Sequence, residues 1–238
     1  MGTTVTFNRP DGKAVQGYLA QPAPAAGGVI ASTPAVVVLQ EWWGLNDQIR
    51  GVAERLAQAG FRALVPDLYR GKSTIDAEEA HHLMTGLDFA DAASQDVAGA
   101  VAYLKAAQAG SAKVGVTGFC MGGALALLAT AMAPGVDAAV TWYGHPPIDY
   151  LNPAAIKVPV MAHWALQDGA FPIAGADAVE AKLRDGGVSV QSHRYLAQHG
   201  FANETAVGPG RIAITQYDPV WAQQAWDRTF RFFGQHLG

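Results

Sequence analysis

Three side chains of the types that carry out acyl transfer stand far apart in this chain. They are the cysteine of "GVTGFCMGG" at position 120, the aspartate of "AHWALQDGAF" at 168 and the histidine of "HRYLAQHGFAN" at 199. A thiolate can attack an acyl carbon, an imidazole can take and return the proton, and a carboxylate can orient the imidazole. Cys120 is the only cysteine, and it lies in Gly118-Phe119-Cys120-Met121-Gly122, between two apolar runs. That pattern is a nucleophile elbow with Cys in place of the usual Ser, a turn too tight for side chains at the flanking positions. It puts sulfur at a helix N-terminus, where the peptide dipoles favour thiolate over thiol. A lone cysteine can also be a small buried hydrophobe. The strand-turn-helix setting favours the nucleophile.

The elements that must hold these residues can be read from hydrophobic periodicity. "TTVTFNRPDGKAVQGYLAQP" reads as two alternating strands around a turn at Pro10-Asp11-Gly12, followed by a Pro/Ala/Gly loop. Ala35 to Gln40 is a non-alternating β-branched run, as in a strand buried on both faces. "NDQIRGVAERLAQAG" carries a helical stripe that stops at Gly60, and "FRALVPDL" is the next strand. Two helices are expected between Ile75 and Ala109, a strand from Lys113 to Thr117 and a helix from Met121 to Met132. "VDAAVTWY" and "VPVMAHWAL" are strands, Ala174 to Asp185 a helix, "VSVQSHRYL" a strand, and a closing helix runs from near Asp218 to about Gln235. Alternating strands and helices imply a mostly parallel sheet with helices on both faces, here behind an N-terminal antiparallel hairpin. Residues 1–238 are expected to form one domain, because no linker or repeat divides them.

In such a sheet, chemistry sits at the C-terminal strand ends. Asp168 and His199 each fall just past a strand that follows the elbow, in the order nucleophile, acid, base expected of an α/β hydrolase. The same fold places a second oxyanion-hole N–H in the loop after the Ala35–Gln40 strand, "QEWWGLN", which makes Trp42 and Met121 the backbone donors. Glu41 then falls near Cys120. It could act on the thiol proton or could pair with an arginine such as Arg50 or Arg62.

The other histidines do not form a cluster. His81 and His82 are adjacent on a helix, His163 lies inside a strand, His145 is in a loop, His193 alternates along a strand and His236 is terminal. No zinc spacing, phosphate cradle or dinucleotide fingerprint is present, so neither metal nor cofactor is expected.

With 50% hydrophobic and 15% charged residues, the composition fits a large core and not a disordered chain. A net charge of -4 without a basic cluster argues against nucleic acid as partner. A single cysteine forms no internal disulfide, which points to a cytoplasmic home. "MGTTVTFNRP" lacks a basic-then-apolar signal; it matches an acylation pattern through Gly2 and Thr6, but no polybasic run supports an anchor. No membrane span is expected, and a monomer is the default.

"QEWWGLNDQI", "VPDLYRG", "GFCMGG", the Asp168 loop and "HGF" together resemble the dienelactone hydrolase (carboxymethylenebutenolidase) family, in family order and across essentially the whole chain. The resemblance implies a triad of Cys120, Asp168 and His199. It also implies that Glu41 pairs with the resting cysteine and releases it as thiolate when substrate binds. The family holds its substrate's carboxylate with two arginines. Arg70 of "PDLYRGK" is the counterpart of the first, shifted by one position, and Asn203 stands where the second is expected. Asn offers a hydrogen bond but neither charge nor a bidentate fork. Arg194 and Arg211 are the alternatives. Trp42, Trp43, Phe171 and Phe201 would form an aromatic wall.

Sulfur chemistry narrows the substrate. Thiolate leaves a tetrahedral intermediate more easily than an ordinary alkoxide or amide nitrogen, so forward reaction needs a stabilised leaving group. Enol-lactones and aryl esters supply one. The expected function is therefore hydrolysis of a small lactone or ester through a thioester, with a broad carboxylesterase of the same fold as the alternative. An idle small-molecule-binding scaffold is a third reading, opposed by the intact Cys, Asp, His order.

Overall fold

The β-branched runs do become the centre of the molecule. The computed structural model describes residues 1–23, 33–107, 112–209 and 211–238. Most of the Pro/Ala/Gly loop expected after the hairpin, and the end of the helix expected to reach Ala109, lie outside those residues. The strands are β1 Thr3–Asn8, β2 Ala14–Ala20, β3 Ala35–Leu39, β4 Arg62–Pro66, β5 Val114–Phe119, β6 Val136–Trp142, β7 Val160–Gln167 and β8 Val190–Gln198. The helices are α1 Asp47–Gln58, α2 Ala77–Thr85, α3 Phe89–Asp91, α4 Ala98–Ala106, α5 Met121–Met132, α6 Ile173–Asp185 and α7 Pro219–Leu237. A π-helical stretch, Ala92–Val97, joins α3 to α4.

All eight strands form one sheet in the order β1-β2-β4-β3-β5-β6-β7-β8. The pairs β1·β2 and β2·β4 are antiparallel and the remaining pairs are parallel. The single-domain α/β-hydrolase architecture expected from the sequence is the one found.

Strand alternation divides the core into two layers. On β3, Ala35, Val37 and Leu39 face a layer that includes Val97, Leu104, Leu125 and Val179. Val36 and Val38 face the other, with Ile49, Leu56, Trp226 and Phe233 of α1 and α7. Each fully buried aliphatic side chain of this kind contributes about 1.5–3 kcal/mol. Met121 through Thr130 of α5 are all buried, which explains why that helix is apolar all round. Asn46 caps α1 by accepting from the Ile49 N–H at 3.1 Å, and Gly60 ends it with φ +95°.

One topological feature locates the site. From β3 the chain steps outward to β4, then crosses back to β5 on the other side of β3. The loops leaving β3 and β5 therefore diverge, and they open the crevice where open α/β sheets bind ligands. Leu39 pairs with Gly118 in register, so the two strands end level. Glu41-Trp42 and Cys120 begin the two diverging loops.

Candidate active site

Cys120 has φ 55° and ψ -120°, a conformation that costs on the order of 1–3 kcal/mol for a non-glycine residue. The surroundings enforce it. The Cys120 N–H donates to the Trp142 carbonyl at 3.0 Å, and the Cys120 carbonyl accepts from the Gly123 N–H at 2.9 Å. The glycines of the elbow are required sterically. A Cβ on Gly118 would collide with the Gly122 carbonyl, and one on Gly122 would lie 2.5 Å from the carbonyl oxygens of Leu39 and Gln40. The thiol is nearly buried, at 9% exposure.

The acid and the base arrive on the loops after β7 and β8. Asp168 opens an Asx-type turn: its Oδ1 accepts from the N–H groups of Ala170 and Phe171 at 2.8 and 2.7 Å. Those bonds aim Oδ2 at His199 Nδ1, 2.9 Å away. The other side of the ring is left for Cys120, whose charge acts on the imidazole. Burial pulls the His199 pKa down, but the Cys120 charge, the hydrogen bonds and Asp168 more than offset it, leaving it well above the usual 6.5. Phe171 stacks on the imidazole at 5.6 Å between centroids, and Tyr143 meets it edge-on at 5.1 Å. The 211–216 segment covers the pair from outside. Ile214 packs over Gly169, the Gln216 N–H donates to the His199 carbonyl at 3.1 Å, and Arg211 donates to the carbonyls of Ile212, Ala213 and Thr215.

Glu41 pairs with neither Arg50 nor Arg62. Arg50 lies against Asp47, and Arg62 donates to the Leu104 carbonyl. The Glu41 carboxylate is buried and accepts from the Tyr143 hydroxyl at 3.1 Å and from Asn203 Nδ2 at 2.7 Å. Asn203 Oδ1 in turn accepts from the Thr205 N–H and hydroxyl at 2.9 and 2.6 Å, which fixes which end of the amide faces Glu41. Burial raises the Glu41 pKa, opposed by the His199 charge and these two hydrogen bonds. Both carboxylate oxygens are engaged, one by Tyr143 and one by Asn203.

The backbone donors expected at the oxyanion hole occupy the diverging loops. Among the described residues, neither the Trp42 nor the Met121 N–H donates to a turn, loop or cap carbonyl. Trp42 and Trp43 meet edge-on at 5.1 Å and are partly buried at this edge.

The expected substrate-binding residues divide differently. Arg70 turns to Asp96, with Nη2 donating to both carboxylate oxygens at 2.8 and 2.9 Å and Nη1 to the Asp67 carbonyl. Asp96 is buried in the π-helical stretch and also accepts from Arg9; an unpaired charge there would be costly. Asn203 supports Glu41. Phe201 is fully buried against Trp142, Tyr143 and Tyr195, so it backs the site instead of walling it. Arg194 pairs with Asp177 and Glu180.

Two residues escaped the sequence reading. Tyr143, with φ 39°, holds Glu41 and packs on His199. Tyr69 donates its hydroxyl to Met121 Sδ at 3.2 Å, and burial followed by the Cys120 charge raises its pKa. Both stand at C-terminal sheet ends, which was the available signal. His145 reaches the rim through Phe171, 5.3 Å away between centroids.

The sequence pattern of the dienelactone hydrolase family matches residues 15–237. The chain belongs to that family. It is thus a carboxylic ester hydrolase of the α/β-hydrolase fold. It is 36% identical to protein usf of Aquifex pyrophilus and 33% identical to a candidate carboxymethylenebutenolidase of Aquifex aeolicus, each over the full length of both chains. A solved structure of a dienelactone hydrolase-like promiscuous phosphotriesterase, P91, from metagenomic libraries superposes with a TM-score of 0.83 at 26% identity, covering 100% of this chain and 99% of that one. Among the described residues, no three His, Cys, Asp or Glu side chains are grouped to hold a metal ion, and no helix is long and apolar enough to cross a membrane.

Proposed function

We propose that this hydrolase cleaves an enol-lactone or a similarly activated ester through a thioester on Cys120. The observation that carries the reading is the line from Asp168 through His199 to Cys120, with the nucleophile held on a strained turn at the switch point of the sheet. Cys120 Sγ attacks the acyl carbon, and the carbonyl oxygen becomes an oxyanion that accepts from the Trp42 and Met121 N–H groups. Collapse breaks the acyl C–O bond, and protonated His199 gives its proton to the departing enolate or phenolate. Water then adds to the thioester, losing a proton to His199. The intermediate expels the thiolate and leaves a carboxylic acid.

Asp168 keeps the ring in the tautomer and orientation that both halves need. Glu41 is a positioning residue. Its buried carboxylate is favoured in the charged form by the His199 charge across the site. The protein is proposed to act as a cytoplasmic monomer on a small molecule.

A broad carboxylesterase of the same chemistry is the second reading, favoured by the engagement of Arg70 and Asn203 with protein carboxylates. The test is steady-state hydrolysis of dienelactone and of p-nitrophenyl acetate by wild type and Cys120→Ala. Cys120-dependent turnover of the lactone supports the first reading, and cleavage of the aryl ester alone supports the second. Equal rates in wild type and variant overturn both.

A further inference from the structure

We infer that the acyl substrate of this site is uncharged: a neutral lactone or ester, without a free carboxylate beside the scissile bond. The inference rests on the thioester reading above and names its substrate class.

All 16 lysines and arginines fall among the described residues, so the cations available to a substrate carboxylate can be checked individually. Three arginines could have served by position. Arg70 forms a two-oxygen pair with buried Asp96, Arg194 is held by Asp177 and Glu180, and Arg211 clamps three carbonyls of its own loop. At position 203 the neutral amide gives its N–H to Glu41, and its oxygen is held by Thr205.

Apart from the His199 ring, what faces the sulfur is anionic, aromatic or hydroxylic. Asp168 and Glu41 flank His199, while Tyr69 and Tyr143 both lie close enough to feel the Cys120 charge. A substrate carboxylate brought here would lose water, find no cation but the His199 imidazolium that Asp168 already engages, and approach two carboxylates.

Lys72 is the remaining cation near the mouth. It lies in the segment whose Thr74 N–H donates to the Trp43 carbonyl at 3.0 Å. Its side chain is exposed and makes no ion pair among the described residues, so solvent and salt screen it. A strongly hydrated ammonium on a flexible stem is a weak substitute for a buried guanidinium fork.

The test compares kcat/KM for the dienelactone, which carries a free carboxylate, with that for its methyl ester, following loss of the conjugated enol-lactone chromophore. The two share the scissile enol-lactone and differ in charge. The expected result is about tenfold or greater preference for the methyl ester, shrinking as ionic strength rises. Asn203→Arg should narrow that preference by supplying charge beside the site. Wild-type preference for the free acid, or equal rates, would overturn the inference; loss of such a preference in Lys72→Ala or Arg211→Ala would name the cation responsible. Cys120→Ala controls separate the two levels. If both compounds are cleaved in a Cys120-dependent way, the thioester reading stands whatever the ratio. If neither is cleaved, that reading and this inference fall together.

Discussion

Two histidines of this sheet are equally hidden from water and are driven in opposite directions. His163, inside β7, is 0% exposed, and His199, just past β8, is 5% exposed. Burial lowers the pKa of both, because a low-dielectric surrounding disfavours the imidazolium. At His163 nothing opposes it. The ring's two nitrogens meet the hydroxyls of Tyr195 and Thr229 at 2.8 and 2.9 Å, and the neighbouring charge of Arg228 pushes the same way, so the pKa falls well below 6.5. At His199 burial is opposed by the charge of Cys120 and by Asp168, which Nδ1 meets at 2.9 Å, and the pKa rises well above 6.5. Depth of burial does not distinguish the histidine proposed to be catalytic from the structural one here. The charge of its partners does.

The largest effect comes from removing those charged partners. Cys120→Ala should reduce kcat/KM for an activated ester by about 10³-fold or more, leaving only what the oxyanion donors and binding supply. Asp168→Asn should cost about 10²–10⁴-fold, because an amide can turn its NH₂ toward the ring and select the wrong tautomer. The Ala170 and Phe171 N–H groups still find the amide oxygen, so folding should survive, as a thermal melt would check. Full activity in Asp168→Asn would mean that His199 is oriented by its stacking on Phe171 and not by charge.

A smaller effect isolates Glu41. In Glu41→Gln the new amide oxygen can still accept from Asn203, and its NH₂ can donate to the Tyr143 hydroxyl, so only the charge is lost. kcat/KM should fall about tenfold, the scale of one partly compensated charge interaction. The rate of thiol alkylation should fall in parallel. Unchanged rates of both kinds would show that Glu41 serves packing alone.

The difference between the two histidines was only partly legible in the sequence. The elbow glycines and the chain order of Cys120, Asp168 and His199 are local or topological signals, and the strands and helices followed from periodicity to within about two residues. A β-branched run such as Ala35–Leu39 has few alternatives to a strand buried on both faces. Long-range polar choices leave no such trace. Arg70 reaches Asp96 across 26 positions and Arg9 reaches it across 87, and no local pattern says that this carboxylate is buried and needs them. Phe201 was placed at the site because it follows the histidine closely, yet two residues along a turn carry it into the core. Tyr143 was missed because it reads as the last residue of an apolar strand, and its positive φ has no sequence signature in a non-glycine residue.

The protonation of His199 itself can be measured. Its raised pKa means that the folded protein binds the proton more tightly than the unfolded chain, so this group's stabilisation is complete below about pH 6.5 and is lost as pH climbs through the folded value. NMR titration of ring-labelled histidine should show the His199 midpoint above 6.5 in wild type. In Cys120→Ala, where the two Cys120 contributions are gone and burial remains, the midpoint should drop. A midpoint that stayed put would assign the shift to Asp168 alone and would loosen the link between sulfur and ring.

The smallest expected effect lies at the other histidine and has the opposite sign. A folded pKa below 6.5 means that the unfolded chain takes up the His163 proton first, so stability falls as pH drops below about 6.5. One such group contributes at most about 1.4 kcal/mol for each pH unit until its folded pKa is reached. His193, which stacks on His163 at 5.7 Å, is lowered as well and adds to the slope. His163→Gln keeps a donor and an acceptor for Thr229 and Tyr195 but has no proton to take up. Its stability at pH 7 should be lower, by about 1–3 kcal/mol for imperfectly matched buried hydroxyls. Between pH 6.5 and 5 it should then decline less steeply than wild type in urea titrations. Equal slopes would mean that His163 titrates normally despite its burial, and that the neutral hydroxyls around it do not hold it uncharged.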